Sequence, residues 1–207
     1  RIADLHSVIR SDLLCFFFRI SFFQVKKIKK ARFEKYLLTR KKNKKFQPLT
    51  PTIYRYVDVF RRLGFSVDMQ KHEIPFRKGE IPEKILHQSD KNNNEKWIGI
   101  APFAAFPGKI YPLDLMQKVI SYLQKDYKLF LFGKGEKESQ KFDIWENAYP
   151  NVQSTVELIS FSDQLNLISN LDLMISMDSA NGHLSSNFGI PTITIWGVTH
   201  PFCGFAP

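Results

Sequence analysis

Cysteine is scarce in this chain of 207 residues: there are two, Cys15 and Cys203, at opposite ends. Two such distant thiols make neither a disulfide framework nor a zinc-ligand spacing, and their rarity points to a reducing compartment. The five histidines, at positions 6, 72, 87, 183 and 200, are scattered, and no pair of acids stands at a strand end, so no metal is expected. A long apolar run is missing too. The most hydrophobic stretch, residues 13–23, has 11 residues and is broken by Arg19, whereas a bilayer span needs about 20. It reads as a buried strand followed by a turn. The opening Arg1-Ile2-Ala3-Asp4 lacks the charged-then-apolar start of a secretory signal. Neither a P-loop, nor a G-x-S-x-G elbow, nor a G-x-G-x-x-G after a strand occurs.

What is present is a globular composition, 43% hydrophobic and 24% charged, with enough apolar content for a sizeable core. The net charge of +10 is lopsided. Residues 1–50 hold 14 Lys/Arg against 3 Asp/Glu, while the remainder holds 16 against 17. A basic segment of that kind attracts phosphates of nucleic acid or of an anionic membrane surface, unless it is simply a solvated face. Phe16, Phe17, Phe18, Phe22 and Phe23 read as strand core rather than as an exposed stacking platform, so no nucleic acid is expected.

The pattern changes along the chain. Residues 2–5 read as a strand end, 7–13 as a short helix capped by Ser7, and 14–18 and 22–28 as strands. Residues 31–40 form a basic helix, 41–45 a charged loop, and 51–63 a helix capped by Thr50, with Pro51 in its first turn and Gly64 at its end. The polar stretch 90–96 (DKNNNEK) marks a domain boundary, dividing the chain into residues 1–92 and 93–207. After it, strands at 97–101, 128–132, 152–155, 171–177 and 192–196 alternate with helices at 112–124, 136–148, 161–170 and 179–187. That alternation means parallel βαβ units in a doubly wound α/β domain.

In such a domain the loops after the strands share one edge, where ligands bind. Lys109 in the first of these loops can neutralise a phosphate. Gly133 and Gly135 in the second allow a close backbone approach, and Glu136 after them can accept ribose hydroxyls. Asp178, Ser179 and His183 lie where a strand ends and a helix begins, and a helix start suits an anion. Each has a plainer reading when taken singly: Asp178 as a cap, His183 as a surface or core histidine, Lys109 as an exposed lysine. Their convergence on one edge is what points to a nucleotide-linked anion.

The run Asp178-Ser179-Ala180-Asn181-Gly182-His183-Leu184, followed by Gly189-Ile190-Pro191-Thr192 and Trp196-Gly197, resembles glycosyltransferase family 9, the ADP-heptose:lipopolysaccharide heptosyltransferases. Ala180 replaces the family's usual glycine. Residues 3–11, with Asp4-Leu5-His6, resemble the family's Asp-Leu-His strand, and residues 29–40 with 55–60 are similar to variants from Bacteroidetes-like bacteria. The resemblance implies a GT-B fold of two Rossmann-like domains with parallel sheets, the N-terminal one incomplete. It implies an inverting transfer of heptose from ADP-heptose to a lipid A–Kdo or heptose acceptor, without a cofactor, by a cytoplasmic enzyme peripheral on the anionic face of the inner membrane. Lys109 would contact the donor phosphates, Glu136 the ribose, and Asp178, Ser179, Ala180 and His183 the pyrophosphate and sugar, with Phe161 near the adenine. The family's acidic general base belongs to a loop that nothing here matches, so the chain is expected to be truncated at both ends and weak or inactive alone. Another GT-B nucleotide-sugar transferase or epimerase, or a noncatalytic basic membrane- or RNA-binding relative, remains an alternative.

Overall fold

The computed structural model describes residues 1–70, 78–86 and 95–207. They divide into two units: residues 1–70 with 200–206, and residues 78–86 and 95–199 with 207. The division expected between residues 92 and 93, and most of the polar stretch around it, lie outside the described residues. Residues 78–86 were expected in the first domain but pack with the second unit. Gly79 N donates to Ser169 Oγ at 2.8 Å, Asn170 Nδ2 donates to Gly79 O at 2.8 Å, and Ile85 is fully buried in that unit's core.

The first unit opens with strand β1 (Ile2–Asp4), helix α1 (Ile9–Ile20) and strand β2 (Val25–Lys27). The strands pair in parallel, Asp4 opposite Lys27. This corrects the expected strand at 14–18 and narrows the one at 22–28. The aromatic run has strand propensity, but two parallel neighbours need a crossover, and a helix supplies it. The correction extends to burial. Cys15 is buried, whereas Leu13, Leu14, Phe16, Phe17 and Ile20 are each more than half exposed and Phe22 is 98% exposed. Ser7 does not cap α1 either. It takes a left-handed φ of 45°, and the helix starts after Val8, whose N–H donates to Ser11 Oγ at 3.0 Å.

Asp4 organises that turn. Its Oδ1 accepts from His6 N at 3.0 Å and Ser7 N at 2.8 Å, and its Oδ2 accepts from Ser11 Oγ at 3.1 Å and Cys15 Sγ at 3.6 Å. Burial alone would raise this carboxyl's pKa. The N–H groups of Ser7 and His6, with Ser11 and Cys15, outweigh it and hold the carboxyl below its ordinary range.

Helix α2 (Arg32–Thr39) and helix α3 (Thr52–Arg62) complete the unit, and Ile28, Val59 and Leu63 form its small core. Pro51, expected inside the first turn of α3, occupies its N-cap position, and Thr50 precedes the cap. Its C-terminus closes as expected on Gly64, with φ +85°. Gly64 N donates to Arg61 O at 2.9 Å and Phe65 N to Phe60 O at 3.0 Å, the paired bonds that satisfy a helix's last carbonyls. A Cβ there would meet only ordinary contact at 3.4 Å, so an alanine's cost would be the left-handed backbone, about 1–2 kcal/mol.

In the second unit, helix α4 (Glu83–Leu86) precedes β3 (Trp97–Ala101), α5 (Leu113–Leu123), β4 (Lys128–Leu131), α6 (Glu136–Ala148), β5 (Val152–Ser154), α7 (Phe161–Ile168), β6 (Leu173–Met177), α8 (Ala180–Asn187) and β7 (Thr192–Ile195). The five strands are all parallel, in the order β5-β4-β3-β6-β7. Alternate strand residues feed two cores. Ile98, Ile100, Leu129 and Leu131 meet Met116, Ile120, Phe142 and Trp145 of α5 and α6. Trp97, Phe130 and Met174 meet Ile85, Leu167 and Ile168 of α4 and α7. Each such apolar side chain removed from water stabilises the fold by roughly 1.5–3 kcal/mol. A sheet covered on both faces leaves its strand ends as the place for chemistry. Between β3 and β6 the winding reverses, since β3 leads through α5 to β4 on one side and β6 lies on the other. Loops diverge at such a switch point and leave a crevice beyond the strands' carboxyl ends.

Candidate functional site

Lys109 and Asp178 meet at that crevice. Lys109 follows β3, at the end of a short 3-10 turn (Pro107–Lys109), and Asp178 follows β6 directly. Lys109 Nζ lies 2.6 Å from Asp178 Oδ2, with the two side chains 22% and 9% exposed. Thr199, in the loop after β7, donates from Oγ1 to the same oxygen at 2.8 Å. One carboxylate oxygen thus ties together the loops after three strands.

The backbone reinforces the tie. Val198 N donates to Gly108 O at 3.0 Å, and a Cβ on Gly197 would lie 2.2 Å from that carbonyl oxygen. Only glycine permits this approach, which seats the loop carrying Lys109 against the loop after β7.

Helix α8 begins beside the pair. Asp178 is not its cap. Ser179 holds the N-cap position, yet its side chain caps nothing, and its Oγ is buried without a hydrogen-bond partner among the described residues. No acidic residue stands in the first turn itself, and the Asp178 carboxylate just before it is engaged by Lys109 and Thr199, so the N–H groups of the helix start keep their partial positive charge. Ala180 is exposed at the first helical position. His183 lies one turn further on. Burial pushes its imidazole below the ordinary range; Asp178 pulls it upward and Lys109 pushes it down. It is therefore neutral near pH 7.

Two expected site residues stand apart from this cluster. Glu136 opens α6 at the same sheet edge, exposed, and accepts from Gln140 Nε2 at 3.2 Å. The loop before it is organised by Glu138, whose Oε2 accepts from Lys134 N at 2.8 Å. Phe161 opens α7 behind the Ser160–Asp163 capping box and is 65% exposed. No hydrogen bond or ion pair among the described residues joins either of them to Lys109 or Asp178. Sequence reasoning missed Thr199 and Glu138. Thr199 stands 21 residues from Asp178, two positions after the Trp196-Gly197 that carries the resemblance, and that turn was the signal that could have found it. Glu138 had a usable signal, an acid shortly after the two glycines of a strand-to-helix turn. Among the described residues, no group of three or more metal-ligating side chains occurs.

The switch point of a doubly wound α/β domain, with a helix start beside it, is the place where domains of this class commonly bind nucleotides. The model of glycosyltransferase family 9 (heptosyltransferase) matches residues 1–203, and the chain belongs to that family. It is 24% identical over 148 residues to lipooligosaccharide heptosyltransferase 2 of Campylobacter jejuni, covering 68% of this chain and 47% of that protein. Among solved structures it resembles the family 9 glycosyl transferase of Veillonella parvula (TM-score 0.68, 16% identity, 93% of this chain and 52% of that one). It also resembles the E. coli heptosyltransferase WaaC with ADP (TM-score 0.57, 15% identity, 75% and 47%). The architecture is that of GT-B heptosyltransferases, and the chain spans about half the length of these relatives.

Proposed function

We propose that this chain is the donor-binding part, with a portion of the acceptor side, of an inverting transferase that moves heptose from ADP-heptose to the lipopolysaccharide inner core. The observation that carries the reading is the Lys109–Asp178 pair set against the start of α8, whose first turn holds no acid, at the switch point. A diphosphate placed there meets a lysine ammonium, helix N–H groups and the idle Ser179 hydroxyl. As the sugar–phosphate bond breaks, negative charge grows on the leaving ADP. Lys109 and the helix start stabilise that charge without having to reorganise. Neutral His183 offers an uncharged imidazole to the same region, and Asp178, held by Lys109 and Thr199, is placed to accept sugar hydroxyls. Glu136 and Phe161, further along the edge, suit ribose and adenine. The first unit supplies the acceptor side.

Calorimetric titration tests this. ADP should bind saturably and more tightly than GDP or UDP. No binding of any of the three by a folded chain would contradict the donor reading.

The same reading puts the enzyme at the anionic cytoplasmic face of a membrane. No helix among the described residues is long and apolar enough to cross a bilayer. The basic first 50 residues and the exposed Phe16, Phe17 and Phe22 suit peripheral contact. Co-sedimentation with phosphatidylglycerol vesicles but not with phosphatidylcholine vesicles is expected; equal recovery with both would exclude an electrostatic anchor.

A further inference from the structure

Helix α8 meets the sheet through small residues. Its buried positions are Gly182 and Ser185. Gly182 sits against Ser176, a fully buried serine in β6 two positions before Asp178. A Cβ on Gly182 would lie 2.5 Å from Ser176 Oγ, nearer than two such atoms can come, and 3.7 Å from Ser176 Cβ. Ser185 makes a second tie: its Oγ lies 3.0 Å from the Gly182 carbonyl oxygen and 2.8 Å from Thr192 Oγ1 on β7.

Both residues run against ordinary preference. Glycine is a poor helix former where alanine is the best, and Gly182 is not among the glycines with a left-handed φ, so its backbone conformation does not call for glycine. Ser176 stands among the apolar Met174, Ile175 and Met177, and its hydroxyl is buried without a hydrogen-bond partner among the described residues. Close approach accounts for the pair: glycine lets the helix come down, and a larger apolar side chain at 176 would lift it. The strand cannot recede. It is paired in parallel on both sides, Ser176 with Ala101 of β3 and with Thr194 of β7. Close-packed interiors transmit such a strain rather than absorb it, so bulk added at this contact displaces the helix.

We propose that Gly182 is a positioning residue for the donor site: its contact with Ser176 sets the height of α8 over the sheet and so aims the N–H groups of residues 180–183. Lys109 and Asp178 do not ride on that helix. The loops after β3, β6 and β7 hold them, with Thr199 as the third member. A helix raised by one methyl group would leave them behind and widen the gap that a diphosphate has to bridge. The identity of the ligand rests on the function proposed above; the seat of the helix rests on the packing alone.

The test compares the whole wild-type chain with Gly182→Ala and with the double variant Ser176→Ala/Gly182→Ala, in which loss of the hydroxyl makes room for the new methyl. Two quantities are read: ADP affinity by calorimetry, and hydrogen exchange of the amides of residues 184–188 in the ligand-free chain. Gly182→Ala should weaken ADP binding about tenfold and speed that exchange about tenfold, although alanine is the better helix former. The double variant should bring both back to within about twofold of wild type. A glycine with a merely structural role would lower the melting temperature without a loss of ADP that Ser176→Ala repairs. Unchanged ADP affinity in folded Gly182→Ala overturns the proposal, as does a loss that the double variant keeps. If Gly182→Ala does not fold and the double variant does, that rescue supports the seat, and near wild-type ADP affinity in the double variant supports its role at the donor site. If neither folds, Ser176→Thr, which adds bulk from the strand side, should weaken ADP likewise, and an unchanged affinity there overturns the proposal. Should wild type bind no ADP, the donor reading falls and the donor role of Gly182 with it, while the exchange rates still judge the seat of the helix.

Discussion

Lys109→Ala is expected to weaken ADP binding about a hundredfold, equivalent to roughly 2.7 kcal/mol. Two losses combine. The diphosphate loses a charge-assisted hydrogen bond, and Asp178 loses the cation 2.6 Å from its Oδ2. That carboxylate, 9% exposed, is then an unneutralised negative charge facing an incoming anion. Lys109→Arg keeps the charge and should lose much less. A second readout follows from His183. Lys109 pushes its pKa down and Asp178 pulls it up, so Lys109→Ala should raise the imidazole pKa and Asp178→Asn should lower it further. Histidine ring resonances followed against pH measure both. An unchanged ADP affinity in a folded Lys109→Ala chain would remove Lys109 from the donor site.

Asp4→Asn is expected to destabilise the first unit by about 2–3 kcal/mol at neutral pH. The amide keeps the shape of the carboxyl but offers one acceptor oxygen where four donors converge: His6 N, Ser7 N, Ser11 Oγ and Cys15 Sγ. Its NH2 group would face two of them and leave them unsatisfied. The effect should depend on pH. The folded carboxyl titrates below its unfolded value of 3.8, so its stabilisation is fully present above that value and is lost as pH falls through the lower folded value. Denaturant melts at pH 7 and pH 3 should therefore show a smaller gap between wild type and Asp4→Asn at the lower pH. An equal gap at both would mean that the charged form of Asp4 contributes nothing.

The second unit was legible because its physics is local. Strands buried on both faces read as continuous apolar runs, and the helices between them carry a 3.6-residue stripe. Trp97–Ala101 and Glu136–Ala148 fall where periodicity places them. The meeting of Lys109 with Asp178 was also within reach, because parallel winding sends every loop after a strand to one edge.

The first unit was harder to read for reasons that are not local. The aromatic run at 14–18 favours a strand by propensity, and only the parallel pairing of β1 with β2 turns it into a crossover helix. Residues 78–86 gave no sign that they pack on the far side of the polar stretch that follows them, since their anchors, Ser169 and Asn170, are about 90 positions away. Arg55 is a charged side chain on a helix, a residue type usually left at the surface. Its burial is set by the carbonyl of Lys30, a partner that no side-chain pattern announces.

The central claim is that the start of α8 and the Lys109–Asp178 pair together hold a nucleotide diphosphate. The most direct measurement is amide chemical-shift mapping of the 15N-labelled chain during titration with ADP. The account predicts that the largest shifts fall on Ser179, Ala180, Asn181, Gly182 and His183, with Lys109 and Thr199 moving alongside and β1 and α1 unmoved. Saturable binding whose shifts lie elsewhere, or no shift at residues 179–183 in a folded chain, would contradict it.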